Sequence, residues 1–276
     1  MEFSQIAAIA SKEFWDRIRN RWVLAVALVF TAFALSIAYF GAAQQGTVGF
    51  RSIEVTIASL VSLVIYLIPL IALMLGFDAI VGEREHGSLD LLLSMPITRG
   101  ELLLGKYLGL AGALAFSTVA GFGLVGLVLS AQLDLNALFH YFGFMLSSVL
   151  LGCAFLSLAV MLSVFASDRT RASGLAIAMW FFFVLIFDLL LLAVLVITAG
   201  QWGGEALPYL LLLNPADVFR ILNIFSLEDV RTLYGLSTVF PPALAKPWLL
   251  GLVMLGWIIA PLAIAGWRFR LGASRA

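Results

Sequence analysis

Residues 141–166 read YFGFMLSSVLLGCAFLSLAVMLSVFA, a run without a charged side chain. About 20 mostly apolar residues suffice for a helix to cross a bilayer, and this run is longer. It is apolar on every face rather than at alternate positions, which favours a helix over a barrel strand. Five other stretches share this character, and the six predicted spans are 22–41, 57–77, 107–131, 141–166, 175–199 and 248–267.

The composition of the whole chain agrees with a lipid environment. Of its 276 residues, 63% are hydrophobic and 12% are charged, and the mean hydropathy is +1.08. A soluble globular protein carries about 25% charged residues, so this chain cannot cover a water-facing surface. A formal net charge of zero gives no support for a nucleic-acid partner, and the single cysteine excludes an internal disulfide. We therefore expect an all-α integral membrane protein.

Basic residues in the short connecting segments predict which side of the membrane each segment occupies. The rich set is Lys12, Arg17, Arg19, Arg21, Arg84, Arg99, Lys106, Arg169, Arg171, Arg268, Arg270 and Arg275, and the poor set is Arg51, Arg220, Arg231 and Lys246. Cytoplasmic segments carry the excess of Lys and Arg, so both termini are expected in the cytoplasm. Six crossings require the same arrangement.

Two polar segments on that side stand out within a single domain of residues 1–276. Residues 1–21 place apolar side chains such as Phe3 and Phe14 at helical spacing, which predicts an amphipathic helix on the inner membrane surface. Residues 78–106 form the second segment, between the second and third spans.

An external loop, 200–247, precedes the last span. Its stretch 207–227 is apolar enough to enter the outer leaflet, but Pro208 and Pro215 prevent it from spanning, so short re-entrant helices are expected. The charged residues expected to point outward are Asp217, Arg220, Glu228, Asp229 and Arg231. They suit a surface for an external partner, although charges that only solvate a long loop would look the same.

The segment 78–106 contains the most polar stretch of the chain, Gly82-Glu83-Arg84-Glu85-His86-Gly87-Ser88-Leu89-Asp90. Four residues, Leu89, Leu92, Leu93 and Pro96, would share one face of a short helix that Pro96 ends, and Thr98 can cap the next helix. Charges at one end and leucines on one face suit docking into a groove of a soluble partner. A solvated loop with ordinary helix-end charges explains these residues equally well.

Several motifs of the chain carry a resemblance to a known family. They are Glu83-Arg84-Glu85-x-Gly87-Ser88-Leu89, Pro96-Ile97-Thr98-Arg99, Gly105-Lys106, Asn214-Pro215-Ala216-Asp217-x-Phe219-Arg220 and Arg268-Phe269-Arg270. Together they resemble ABC-2 type permeases over the whole chain. The resemblance is strongest to permeases of the system that matures copper-containing nitrous oxide reductase, which implies a bacterial inner membrane.

The resemblance implies a non-catalytic membrane subunit that pairs with a second copy of itself and with two copies of a cytoplasmic ABC ATPase. ATP and magnesium would bind to that ATPase, and no cofactor is expected on this chain. The residues carried over as the ATPase-docking coupling helix are Glu83, Arg84, Glu85, Gly87, Ser88 and Leu89. A repeat-built periplasmic protein is the expected external partner.

One near-match to a phosphate-binding loop, residues 100–106, is rejected. Tyr107 stands where magnesium binding needs Ser or Thr, and no strand precedes the match. Its apolar content is that of a helix entering lipid. ATP is therefore expected to be hydrolysed by another chain.

Soft metal ligands are weighed because the resemblance suggests copper. Met145, Cys153 and Met161 lie at successive steps of eight residues, and each step rotates a helix by about 80°. The three sulfurs cannot share one face, so we expect a packing role and assign no metal site.

Asp188 lies near the middle of the fifth span, where a charge costs several kcal/mol. It is either a protonated acid bonded across a helix interface or a group on the transport path or the dimer seam.

The function therefore has several candidates. Beyond copper-enzyme maturation, the same fold serves export of a drug, lipid or polysaccharide. A mechanotransmitting anchor that moves no solute also fits, since the spans lack a polar lining. A membrane-embedded hydrolase is disfavoured because the spans hold a single acid and no deep His.

Overall fold

A computed structural model describes residues 2–19, 22–40, 53–130, 135–197, 206–225, 244 and 246–271. These residues are helical almost throughout, and no strand occurs among them. The helices are α1 Phe3–Arg19, α2 Trp22–Phe40, α3 Ile53–Gly76, α4 Val81–Glu85, α5 Ser88–Leu93, α6 Arg99–Ser130, α7 Leu135–Phe165, α8 Arg169–Phe181, α9 Phe187–Ile197, α10 Leu207–Leu211, α11 Pro215–Phe225 and α12 Pro247–Leu271.

Five helical stretches in these described ranges are long and apolar enough to cross a membrane. They are Ser59–Glu85, Arg99–Val128, Leu138–Phe165, Arg169–Ile197 and Pro247–Leu271, and they match the second to sixth predicted spans. α2 occupies the first predicted span, but the apolar stretch found there, Ala25–Ile37, is shorter. The sixth crossing and the cytoplasmic placement of both termini stay predictions.

α7 is the centre of the bundle. Its spanning stretch is 72% buried, against 17% for the fifth predicted span. α7 packs against α3, α6, α11 and α12. At Gly152 an added Cβ would lie 2.8 Å from a methyl of Leu114, so glycine allows α6 to approach closely. Small residues at such contacts are typical of helices that associate in lipid, where packing replaces the hydrophobic effect.

The amphipathic helix α1 packs against the beginning of α6. An added Cβ at Gly105 would lie 2.7 Å from Ile9, and one at Gly109 would lie 2.6 Å from the Ala10 carbonyl oxygen. The glycines thus let α1 rest directly on α6. Phe3, predicted on the same apolar face as Ile6, is instead 84% exposed, because α1 turns its later residues towards α6.

The fifth span is not a continuous α-helix. Between α8 and α9 a π-helical turn covers Phe182–Ile186, and the Phe187 amide donates to the Phe182 carbonyl.

Two short helices, α10 and α11, follow in the predicted external loop, and α11 packs against α3, α7 and α12. Glu228, Asp229 and Arg231 of that loop lie outside the described residues.

Candidate functional site

The segment 78–106 folds as α4, α5 and a corner that leads into α6. The amides of Ile80 and Val81 donate to the Ser163 hydroxyl, at 2.9 and 3.0 Å, and so fix the start of α4 on α7. Between α4 and α5, Gly87 has φ +71°. Glycine is suited to this left-handed conformation because it has no Cβ, and the chain turns there without strain.

The start of α6 is a capping box. The Thr98 hydroxyl accepts from the Glu101 amide at 3.2 Å, and the Glu101 carboxylate accepts from the Thr98 amide at 2.7 Å. The prediction that Thr98 caps this helix is confirmed. Glu101 also accepts from the Glu2 amide at 2.7 Å, which ties the start of α1 to the same point.

Lys106 joins α1 to the segment 78–106. Its ammonium contacts Glu13 on α1 at 3.2 Å and Glu83 on α4 at 2.8 Å. The Lys106 side chain is only 8% exposed. Glu83 also accepts a hydrogen bond from the Ser88 hydroxyl at the start of α5. One buried cation therefore couples α1, α4 and α5 to the third predicted span.

Arg84 and Glu85 bind the ends of two spanning helices. Arg84 donates to the carbonyl of Ala166 at 2.9 Å, where the last carbonyls of α7 lack partners within the helix. Glu85 accepts from the Arg169 amide at 2.8 Å, at the N-terminus of α8, where a negative charge is favoured. Both charged side chains thus fasten α4 to the bundle.

Arg169 makes a further contact beneath α4. Its guanidinium binds the Asp78 carboxylate at 2.6 Å. An added Cβ at Gly82 would collide with the Asp78 carboxylate, so glycine here leaves that side chain in place. The ion pair therefore joins the turn between α3 and α4 to the N-terminus of α8.

The outward face of α5 differs from the predicted one. Leu89 is 9% exposed and packs in the core, and Leu92 and Leu93 are partly buried against it. Leu89 therefore cannot itself be a docking surface, because its face of the helix covers the bundle. Leu91 is 66% exposed and Met95 is 51% exposed. Leu91 lies in the last turn of α5, and Met95 lies two residues beyond the end of that helix.

Three residues of the segment 78–106 that the sequence pattern did not mark for docking or positioning are prominent in the structure: Lys106, Leu91 and Met95. The spacing of Leu91 and Met95 was visible in the sequence. The partners of Lys106 were not, because Glu13 and Glu83 are brought to it only by the fold.

A second polar cluster lies between the fifth span and α11. Arg220 binds Asp217 at 2.7 Å and Asp188 at 3.2 Å, so the predicted membrane acid is paired with an arginine of the loop. Asp217 is 1% exposed, and the prediction that it points outward is wrong because its carboxylate is held under Arg220 and Asn214. Arg220 is half-buried, and Arg231 lies outside the described residues.

Two carboxylates beside one guanidinium leave an excess negative charge if all three groups ionise. Burial raises the pKa of the Asp217 carboxyl, and the Arg220 guanidinium opposes that rise while Asp188 adds to it.

Asn214 connects this cluster to the π-helical turn. Its amide donates to Asp217 at 2.9 Å and to the Phe183 carbonyl at 2.8 Å, and its own oxygen accepts from the Ala216 amide at 3.0 Å. The Asn214-Pro215 pair thus begins α11 with an N-cap and a proline at the first helical position.

The remaining predicted features fall inside helices. Residues 100–106 are part of α6, so the near-match to a phosphate-binding loop is not a loop. Met145, Cys153 and Met161 pack against the hydrophobic core, as expected for packing residues.

Comparisons with known proteins agree along nearly the full chain. The model of the family "ABC-2 family transporter protein" matches residues 7–271. A Stutzerimonas stutzeri protein named "Probable ABC transporter permease protein NosY" is 45% identical over 271 residues, covering 97% of this chain and 98% of that protein. A Pseudomonas aeruginosa protein of the same name is 47% identical over 268 residues, covering 95% and 96%.

Proposed function

As this chain belongs to the ABC-2 family and is the membrane permease subunit of an ABC transporter, we propose that it couples ATP hydrolysis on a separate cytoplasmic ATPase to movement of its spans. The observation that carries the proposal is the arrangement of segment 78–106. Its charged side chains bind inward to four helices, while Leu91 and Met95 face outward. A docked partner that moves this segment would move those helices with it.

The docking surface consists of Leu91 and Met95, with the exposed Asp90 next to Leu91 in the sequence. Apolar side chains that enter a groove are a common mode of helix recognition. Glu83, Arg84 and Glu85 act behind this surface and position it, with Gly87 and Ser88 setting the turn between α4 and α5. ATP and magnesium bind to the partner, and this chain holds neither.

The route from the docking surface into the membrane follows the hydrogen bonds. Lys106 passes a displacement of α4 to α1 and α6, while Arg84 passes it to α7. Glu85 passes it to α8, whose continuation carries Asp188. Binding of ATP would then bias a two-state equilibrium of the permease pair.

The biological role follows from the names of the relatives. We propose that two copies of this chain act with two ATPase subunits in the bacterial inner membrane, in copper-site maturation of nitrous oxide reductase. A NosD-like periplasmic protein would be the external partner, and the loop that holds Arg220 and Arg231 would contact it. Export of a drug, lipid or polysaccharide is the alternative role on the same fold.

A mechanotransmitting role without a transported solute has one structural observation in its favour. The buried serines of α7 donate inward to backbone carbonyls or pair with Asn223, as at Ser147, Ser148 and Ser157. Within the described residues, α7 therefore presents no free hydroxyl that could line a polar path.

The docking proposal is tested by replacing Leu91 and Met95 together with Asp. The ATPase should be lost from the purified complex by about tenfold or more, because two buried apolar contacts contribute a few kcal/mol. Replacing Arg19, which is exposed on α1, with Ala is the matched control and should change nothing. If the double variant is made at normal yield and still retains the ATPase fully, the docking surface lies elsewhere.

A further inference from the structure

A groove opens between the start of α6 and the end of α12. Its volume is about 480 Å³, within the range of about 300–1,000 Å³ that is usual for ligand clefts. Apolar side chains line its length: Leu103 and Leu104 from α6, and Ile259 and Leu262 from α12. Its walls are therefore suited to a hydrocarbon chain.

Glycine keeps this groove open. Gly266 on α12 lines it, and an added Cβ there would meet only a methyl of Leu103, at 3.7 Å. That distance is an ordinary van der Waals contact, so no neighbour forces glycine at this position. The space beside Gly266 is left unfilled by the described side chains.

The groove ends at an aromatic and a cationic side chain. Trp267 and Arg270 both line it and are both exposed. Tryptophan is typical of the boundary between hydrocarbon and headgroups. Arg268, two residues before Arg270, stands over the Phe165 ring, and Arg99 donates to the Phe269 carbonyl at 2.9 Å, so neither of them lines the groove. Arg270 is therefore the cation of the groove.

These cations are not neutralised by the rest of the described structure. Among the described residues, neither Arg268 nor Arg270 has a carboxylate within ion-pair distance. A guanidinium presents a fork of donors that matches a phosphate, and it stays charged at any working pH. Arg270 is thus available to an anion beside an apolar groove, at the end of the last predicted span.

We propose that this groove is a binding site for an anionic phospholipid. One acyl chain lies along Leu103, Leu104 and Ile259, and the phosphate is held by Arg270. Basic pockets between membrane helices bind anionic headgroups in this way. A zwitterionic lipid can fill the same groove, but it does not supply the net negative charge. The site lies next to Arg99, so an occupied groove would brace the start of α6, on which the coupling segment 78–106 rests.

The test is native mass spectrometry of the purified full complex in micelles that contain equal amounts of phosphatidylglycerol and phosphatidylethanolamine. The complex should retain phosphatidylglycerol in preference by about fivefold, a factor typical of one arginine at an anionic surface. Arg270→Gln should remove the preference. Gly266→Leu should reduce retention of both lipids because its side chain fills the groove.

Two control variants match these changes. Arg19→Gln removes an exposed cation far from the groove, and Gly256→Leu adds the same side chain to α12 where an added Cβ meets nothing within 4 Å. Both should retain phosphatidylglycerol as the unaltered protein does. Equal retention of the two lipids by the unaltered complex overturns the proposal without relying on any variant. So does a Gly266→Leu protein that loses a second copy rather than lipid, since the groove would then be a subunit contact.

Discussion

At the scale of single residues, the cytoplasmic site depends on Lys106. This ammonium is nearly buried between Glu13 and Glu83, and each carboxylate comes from a different helix. Removing one member of a buried set of ion pairs destabilises a protein by more than the intact set stabilises it, since the remaining charges stay desolvated. Lys106 is therefore a positioning residue for the segment 78–106.

Lys106→Met should lower the free energy of unfolding by about 3 kcal/mol, because it removes the cation of Glu83 and leaves Glu13 with Arg17 alone, at 3.3 Å. Denaturant titration in mixed micelles measures the change. The triple variant with Glu13→Gln and Glu83→Gln removes the unpaired charges and should recover most of the loss. Equal stability of Lys106→Met and the unaltered chain would show that these ion pairs do not stabilise the fold.

At the scale of elements, the contact of α1 with α6 decides whether the amphipathic helix belongs to the bundle. The pair Gly105 and Gly109 brings the two backbones together, and Glu13 then reaches Lys106. A larger side chain at this crossing would have to displace backbone rather than a flexible tip. α1 is thus part of the coupling site as well as a helix that faces the membrane surface.

Gly109→Leu should release α1 while leaving the span of α6 in place, since its side chain collides with the Ala10 carbonyl. Trypsin cleavage at Lys12, followed by mass spectrometry, should become faster by about tenfold, as overpacking by 1–3 kcal/mol predicts. Gly123→Leu, on the same helix with nothing within 4 Å of an added Cβ, is the control. Similar cleavage rates for both variants would contradict this contact.

The elements themselves were predictable because a long apolar run in lipid has to be helical to satisfy its backbone. The residues at which these helices begin and end were harder to predict. α6 begins at Arg99 rather than at Tyr107, because the capping box at Thr98 starts the helix before it enters the apolar region. The π-helical turn at Phe182–Ile186 has no apolar pattern of its own and is fixed by Asn214 from the loop.

The site was only partly predictable for a related reason. Glu83, Arg84 and Glu85 stood out by their charge, and the resemblance gave them a docking role. A cluster of charges does not show which way each side chain points. The fold turns all three towards helix ends and a buried lysine, and the apolar pair Leu91 and Met95 is left outward.

At the scale of the whole molecule, the described surfaces divide into two regions. Of the five spanning stretches described, the fifth and last predicted spans are the least buried, at 17% and 22%. By contrast, 72% of the spanning stretch of α7 is buried. A displacement of the segment 78–106 therefore reaches α8 through Glu85 and α12 through Arg99, as well as the core helix α7 through Arg84.

Site-directed cross-linking of the segment 78–106 to the ATPase tests this account most directly. In a Cys153→Ser background, Leu91→Cys and Met95→Cys supply exposed thiols, and Leu89→Cys supplies a buried one in the same segment. A short thiol-to-photoreactive cross-linker applied to native membranes should join the first two variants to the ATPase and leave the third unjoined. Joining at Leu89 with none at Leu91 and Met95, in an intact complex, would contradict the account.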